Sequence, residues 1–229
     1  MRYCRACHSI KSVYFTEREG DTMVKEKMMT MEQKRTDVQD RGQVHSSILS
    51  VVMTAFFAAV IFLGIQSFRI PLPAAVGTPF LHFGHIFVML AIVCLGGKRS
   101  AAAGVLGLVI FDILNGYMHS IPNVFVSTII KCLLVGAVFN IMKKRAAGDR
   151  KKEYTAAVIC AAVYGVLNIA VDFTWSVGEL MLIGSSFGAA LAAEITSIPA
   201  TIINAGFTVI GTGLLYLPVV SAYRRIIKG

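Results

Sequence analysis

The sequence contains no G-x-x-x-x-G-K-[ST] phosphate loop, no H-E-x-x-H and no G-x-S-x-G. The first absence excludes a chain that draws on ATP by itself. The other two exclude common zinc-hydrolase and serine-hydrolase layouts, so an enzyme is not expected. Acidic residues are scarce, 13 against 22 Lys and Arg. No segment repeats at a fixed period, and the inverted repeat found in many secondary transporters is not visible. No apolar h-region of a cleavable signal peptide is seen in the polar residues 1–46. The most informative scarcity is local, because whole segments are nearly free of Lys and Arg.

Six apolar runs follow one another between Ser47 and Val220. Nine basic residues, Arg2 through Arg41, precede the first run. Lys98 and Arg99 separate the second and third. Lys143, Lys144, Arg145, Arg150, Lys151 and Lys152 separate the fourth and fifth, and Arg224, Arg225 and Lys228 follow the sixth. The three alternate gaps hold only Arg69. Basic segments resist export, so the alternation predicts an all-α integral membrane protein: a six-transmembrane-helix bundle with N and C termini cytoplasmic. A hydrophobic share of 55% and a mean hydropathy of +0.68 agree with this class. The net charge of +9 then belongs to cytoplasmic loops that touch anionic lipid, and no nucleic-acid partner is expected. Two segments are predicted, a disordered basic cytoplasmic lead over 1–46 and the six-helix transmembrane substrate-binding domain over 47–229.

The expected spans are Ile48–Phe68, His82–Leu95, Ala101–Asn115, Val124–Met142, Tyr154–Val171 and Ser197–Val220. The second is short enough to be tilted or partly interfacial. Gly96 to Arg99 reads as a tight cytoplasmic turn. Asp172 to Ser197 reads as an outer connection that carries Trp175 and a short helix over Phe187–Ala193. The third span is rich in Ala and Gly, which lets neighbouring backbones approach closely.

Cysteine adds little. Cys94, Cys132 and Cys160 lie in apolar spans, where a thiol acts as a small hydrophobe. Cys4, Cys7 and His8 spell C-x-x-C-H, but a cytoplasmic terminus is the wrong side for haem attachment. His82 and His85 lack neighbouring carboxylates in sequence, so neither a metal site nor a cofactor is expected.

Two ionisable residues interrupt the spans, Asp112 in the third and Lys131 in the fourth. A charge in the hydrocarbon layer costs several kcal/mol unless paired or hydrated, which makes each a functional-site candidate. At about 1.5 Å per residue both lie roughly 6–11 Å below the outer surface. Two readings stand: a structural Asp112–Lys131 ion pair, or the polar wall of a pocket open to the outside. Arg69, His82, His85, Asn115, Tyr117, Asn168, Asp172, Trp175, Glu179 and Glu194 collect at the same outer level, and the inner half has no comparable set. On the first span Ala55 and Ala59 form a small-residue pair four apart.

Taken together, Phe68-Arg69-Ile70-Pro71-Leu72-Pro73, His82-Phe83-Gly84-His85, Leu95-Gly96-Gly97-Lys98, Asp112 with Asn115-Gly116-Tyr117, and Ile130-Lys131 resemble the substrate-binding S components of energy-coupling factor (ECF) vitamin transporters. The likeness is clearest over residues 50–147 and is to the riboflavin-type branch, which includes hydroxymethylpyrimidine and pyridoxine carriers. It implies a multi-pass protein of the bacterial plasma membrane that captures a water-soluble vitamin at the outer face. Uptake would be driven by a transmembrane coupling (T) subunit and two ATPase subunits. It implies substrate contacts from Arg69, His85, Asp112, Asn115, Tyr117, Lys131, Asn168, Asp172 and Trp175, and T-subunit docking through Ala55 and Ala59. The competing class is a self-sufficient secondary carrier or channel for a small polar metabolite, with Lys131 and Asp112 relaying protons.

Overall fold

The computed structural model describes residues 34–35, 47–72 and 80–228. The chain divides into Met1–Leu49 and Ser50–Gly229. The polar lead falls in the first unit and, apart from Lys34 and Arg35, lies outside the described residues, as does the C-x-x-C-H stretch.

The elements are helix α1 (Ser47–Gln66), strands β1 (Ile70–Pro71) and β2 (Phe80–Leu81), and helices α2 (Gly84–Leu95), α3 (Gly97–Asn115), α4 (Ile121–Ala146), α5 (Arg150–Leu182), α6 (Phe187–Ile195) and α7 (Ile198–Lys228). A 3₁₀ turn, Met118–Ser120, joins α3 to α4. The two strands pair antiparallel, with Ile70 opposite Leu81. α1, α5, α7, and α4 with the turn before it are long and apolar enough to cross a membrane. α2 has only 12 residues, and α3 carries Lys98, Arg99 and Asp112 among its 19.

Two boundaries differ from the sequence reading. α3 begins at Gly97, so only Gly96, at a φ of +78°, turns the chain. Here glycine matters, because an L side chain rarely adopts that φ. α5 does not stop at Val171 but continues for three more turns to Leu182, absorbing Trp175. No proline interrupts residues 154–182 and the apolar stretch simply continues, so nothing in the local chemistry ends the helix. α2, the short second span, lies inside the bundle: Ile86 and Val88 through Val93 are all buried. It packs against α3, α4, α5 and α7, as a helix apolar on every side should.

Lipid tails are as apolar as leucine, so helices in a bilayer associate through close packing more than through hydrophobic burial. The small residues sit where that demands them. A Cβ on Gly107 would lie 2.6 Å from the Ala58 carbonyl oxygen, which sets α1 against α3. A Cβ on Gly136 would lie 2.5 Å from the Gly97 Cα, which sets α3 against α4. On α1 the buried face is Met53, Phe57, Ala58, Ile61 and Ile65. Ala55 and Ala59 are exposed on another face.

The helix ends have identifiable causes. Lys143, Lys144 and Arg145 sit in the last turn of α4, where cations complement the dipole. Asp149 caps α5, accepting from the Lys151 and Lys152 backbone N–H groups. Ser186 caps α6 through the Ala189 N–H. Pro199 lies in the first turn of α7, where its missing N–H has no intrahelical acceptor.

Candidate functional site

A cavity of about 160 Å³ lies among α1, β2, α2, α3, α4 and α5. Its apolar walls are Ile65, Leu108, Phe111 and Val124, and Phe80 closes part of it. Its polar walls are His82, His85, Asp112, Asn123, Ser127, Thr128, Lys131 and Asp172. On α4 the residues Val124, Thr128 and Lys131 recur at helical spacing, so one face of a single helix supplies a hydroxyl and the ammonium.

Lys131 is only 2% exposed. It donates to Asn168 Oδ1 at 2.6 Å and to Asp172 Oδ1 at 3.4 Å, and lies 5.8 Å from the centre of the Tyr164 ring. Tyr164, Asn168 and Asp172 form an i, i+4, i+8 stripe on α5. An ammonium has three N–H donors, and these two bonds leave one for the cavity. The continuation of α5 beyond Val171 is what places Asp172 here.

Of the two readings of these residues, the Asp112–Lys131 ion pair is not formed; the partner of Lys131 is Asp172. The reason is helical phase, because Asn168 and Asp172 meet the ammonium together from one face of α5. Asp112 is 6% exposed, and its Oδ2 is buried without a hydrogen-bond partner, as is Oδ1 of Asn123. Both side chains line the cavity. Unsatisfied buried acceptors cost about 1–3 kcal/mol each, a cost that a ligand donating hydrogen bonds would remove.

The histidines form the next wall. Their rings lie 4.6 Å apart, and His85 Nδ1 shares a hydrogen bond with the Tyr164 hydroxyl at 3.2 Å. His82 Nδ1 accepts from the Gly84 N–H at 3.2 Å, which puts the proton of a neutral ring on Nε2. Asn204 of α7 holds the strand before it: its Oδ1 accepts from the His82 N–H and its Nδ2 donates to the Phe80 carbonyl, both at 3.0 Å. That amide replaces a missing strand neighbour and fixes Phe80 over the cavity.

Beside Phe80 and Phe111, Arg69 donates to Asn115 Oδ1 at 3.0 Å. Asn115 Nδ2 donates to Gln66 Oε1 and to the Phe111 carbonyl. The Arg69 guanidinium lies 5.9 Å from the Phe80 ring centre and 5.6 Å from that of Phe111. Tyr117 stacks near Phe111 at 6.1 Å. Arg69, Asn115 and Tyr117 thus contact Phe80 or Phe111, which line the cavity, and are not themselves among the side chains that line it.

Of the residues predicted from sequence, His85, Asp112, Lys131 and Asp172 meet in the cavity, with Asn168 bracing Lys131 from behind. Trp175 does not. It lines a separate, mainly apolar groove of about 1050 Å³ with His119, Pro122 and Glu179. Outside the spans, burial pushes the Glu194 carboxyl of α6 up to about 7, and the charge of Asp172 adds to the shift. Among the described residues no group of three or more His, Cys, Asp or Glu side chains is arranged to hold a metal ion. Sequence reading missed Phe111, Asn123, Thr128, Tyr164 and Asn204. Thr128 and Tyr164 carried a signal, spaced three and four residues from Lys131 and Asn168. Asn204 lies 122 residues from the backbone it holds and carried none.

Long apolar helices closing round a polar cavity define a multi-pass membrane protein. Residues 45–224 match the family described as ECF-type riboflavin transporter, S component. The chain belongs to that family, which is one of transporter components and not of enzymes. A solved structure of ThiT from Listeria monocytogenes is similar at a TM-score of 0.53 and 19% identity, covering 79% of this chain and 97% of that one. At such identity the likeness speaks for the fold. No curated protein matches the sequence.

Proposed function

We propose that this S component binds a single-ring, water-soluble vitamin or precursor of the pyridoxine or hydroxymethylpyrimidine class. The observation that carries this reading is the cavity of about 160 Å³ whose two unpaired buried acceptors, on Asp112 and Asn123, stand with the spare N–H of Lys131. Drug-sized ligands occupy roughly 300 Å³ or more. A small ring bearing hydroxymethyl or amino donors answers both acceptors, offers a ring acceptor to Lys131, and lays its face on Phe111. Riboflavin is the second reading, favoured by the family's own description; its three fused rings require the cavity to enlarge.

The cavity lies toward the start of α4 and the far part of α5, whereas Lys143 to Arg145 and Arg150 to Lys152 mark the opposite ends of those helices. The positive-inside rule then supports a cavity facing outward, six crossings and cytoplasmic termini. Uptake would depend on a T subunit and two ATPase subunits, with Ala55 and Ala59 on the exposed face of α1 as the docking contact. A self-sufficient carrier would transport without them.

Native mass spectrometry of the purified protein, with release and identification of the bound molecule, tests the ligand. A stoichiometric pyridine or pyrimidine is expected; a flavin would favour the second reading, and a protein that binds neither would remove both. Ala55→Trp should leave binding unchanged and abolish uptake in cells that hold the coupling subunits. Equal loss of both would end the docking assignment, and uptake surviving deletion of those subunits would favour the carrier.

A further inference from the structure

The opposite end of the bundle holds a second pocket, of about 510 Å³, between the first turns of α5 and the last turns of α7. Arg150, Arg224 and Arg225 line it with the hydroxyl residues Tyr216 and Ser221, and Leu217 and Val220 give it an apolar side. Its one acid, Glu153, is buried and already accepts a hydrogen bond from Arg224. Among the described residues Arg150 and Arg225 form neither an ion pair nor a side-chain hydrogen bond, so two guanidinium groups face the pocket with no acidic partner. α7 has 31 residues, about 46 Å at helical rise, against a hydrocarbon core of about 30 Å. A helix of that length extends past the core at one end or both, and Arg224 and Arg225 make its last turns the end suited to the headgroup layer.

We infer that this pocket is a binding site for a phosphate-bearing anion, its oxygens held by Arg150 and Arg225. Guanidinium groups match phosphate oxygens in paired hydrogen bonds. The apolar side suits the glycerol and first methylenes of an anionic phospholipid, and basic pockets at the inner ends of transmembrane helices take such headgroups. A soluble phosphate offers the same oxygens without the chains. The inference is independent of which vitamin fills the other cavity.

The full chain, delipidated in detergent, would be titrated with phosphatidylglycerol, with phosphatidylethanolamine and with inorganic phosphate, and bound species counted by native mass spectrometry. The lipid source predicts at least fivefold more phosphatidylglycerol than phosphatidylethanolamine retained, with the excess lost in R150Q/R225Q. Both positions are exposed, so this variant should fold. Millimolar inorganic phosphate that displaces the lipid, or binds alone, through the same two arginines would assign the soluble source. K143Q/K144Q removes equal charge from residues that do not line the pocket and should retain lipid like the wild type. Equal retention by the wild type and R150Q/R225Q, equal loss in K143Q/K144Q, or no binding of any of the three would overturn the site.

Discussion

The two ends of this bundle each hold an ion pair with one buried partner, Lys131 at one end and Glu153 at the other, and they differ in what is left over. At the cavity end, Lys131 is matched by Asp172 and Asn168, and the surplus is acceptors: a carboxylate oxygen of Asp112 and an amide oxygen of Asn123. At the basic end, Glu153 is matched by Arg224, and the surplus is the guanidinium groups of Arg150 and Arg225. One pocket is small, about 160 Å³, and lies among six elements, while the other, about 510 Å³, lies between the ends of two helices. Burial makes an unmet acceptor costly, so the first site gains most from a neutral donor that fits closely. Exposure makes an unmet cation cheap, so the second gains from any anion of suitable shape and loses with added salt. On the two proposals above, the same motif serves selective capture in one place and tolerant attachment in the other.

The sharpest way to break the cavity side of this comparison is Lys131→Met. It removes the ammonium that joins α4 to α5 and leaves Asn168 Oδ1 without a donor. Ligand affinity should fall at least a hundredfold by calorimetry, with a monodisperse protein on size exclusion. Retained affinity would show that Lys131 only braces helices. Asp112→Asn is next in size. It removes a buried charge and swaps an acceptor for a donor, so binding should weaken about tenfold to a hundredfold while the apparent Tm holds or rises. A falling Tm with unchanged binding would make Asp112 a structural residue.

Much of this arrangement was legible in the chain. The apolar runs indicated most of the helices, but not where α5 ends, nor where α3 begins, because Lys and Arg fall within the last or first turns of helices and not only between them. The depth of Asp112 and Lys131 indicated which end holds the cavity. Their pairing was not legible, because rise gives depth whereas partner choice depends on rotation about each axis and on where α5 ends. Reading Asp172 as a loop residue separated it from Asn168, and with it went the stripe that includes Tyr164. Trp175 failed for a related reason: the proximity in sequence that suggested a shared site places it on a helix face lining a different groove. Asn204, clamped on the strand before α2, depends on a contact across most of the chain that no local pattern announces.

On the basic side, Glu153→Gln sharpens the contrast. The loss of a carboxylate leaves Arg224 with a weaker acceptor and should cost about 1–3 kcal/mol of stability. It also adds a third unmatched guanidinium to the pocket, so phosphatidylglycerol retention should rise a few-fold as the Tm falls. Opposite changes in these two readouts separate a binding pocket from a merely structural pair; a parallel fall in both would say that Glu153 shapes the pocket.

The smallest effect concerns the carboxyl of Glu194, which burial and then the charge of Asp172 raise from 4.5 to about 7. A carboxyl raised on folding binds a proton more tightly in the folded state. The stability that this group contributes is therefore fully present below about 4.5, is lost as pH rises from there to about 7, and is absent above. Wild-type protein should melt a few degrees lower at pH 8 than at pH 5, and Glu194→Gln should flatten that difference because its amide cannot ionise beside Asp172. The vitamin site should notice the substitution only through Asp172, whose ion pair with Lys131 gains a little when the neighbouring charge is removed. Affinity at pH 8 would then rise by less than about threefold in the variant and stay unchanged at pH 5, where the wild-type carboxyl is already protonated. An equal gain at both pH values would mean that Glu194 acts on the cavity through packing and not through its charge.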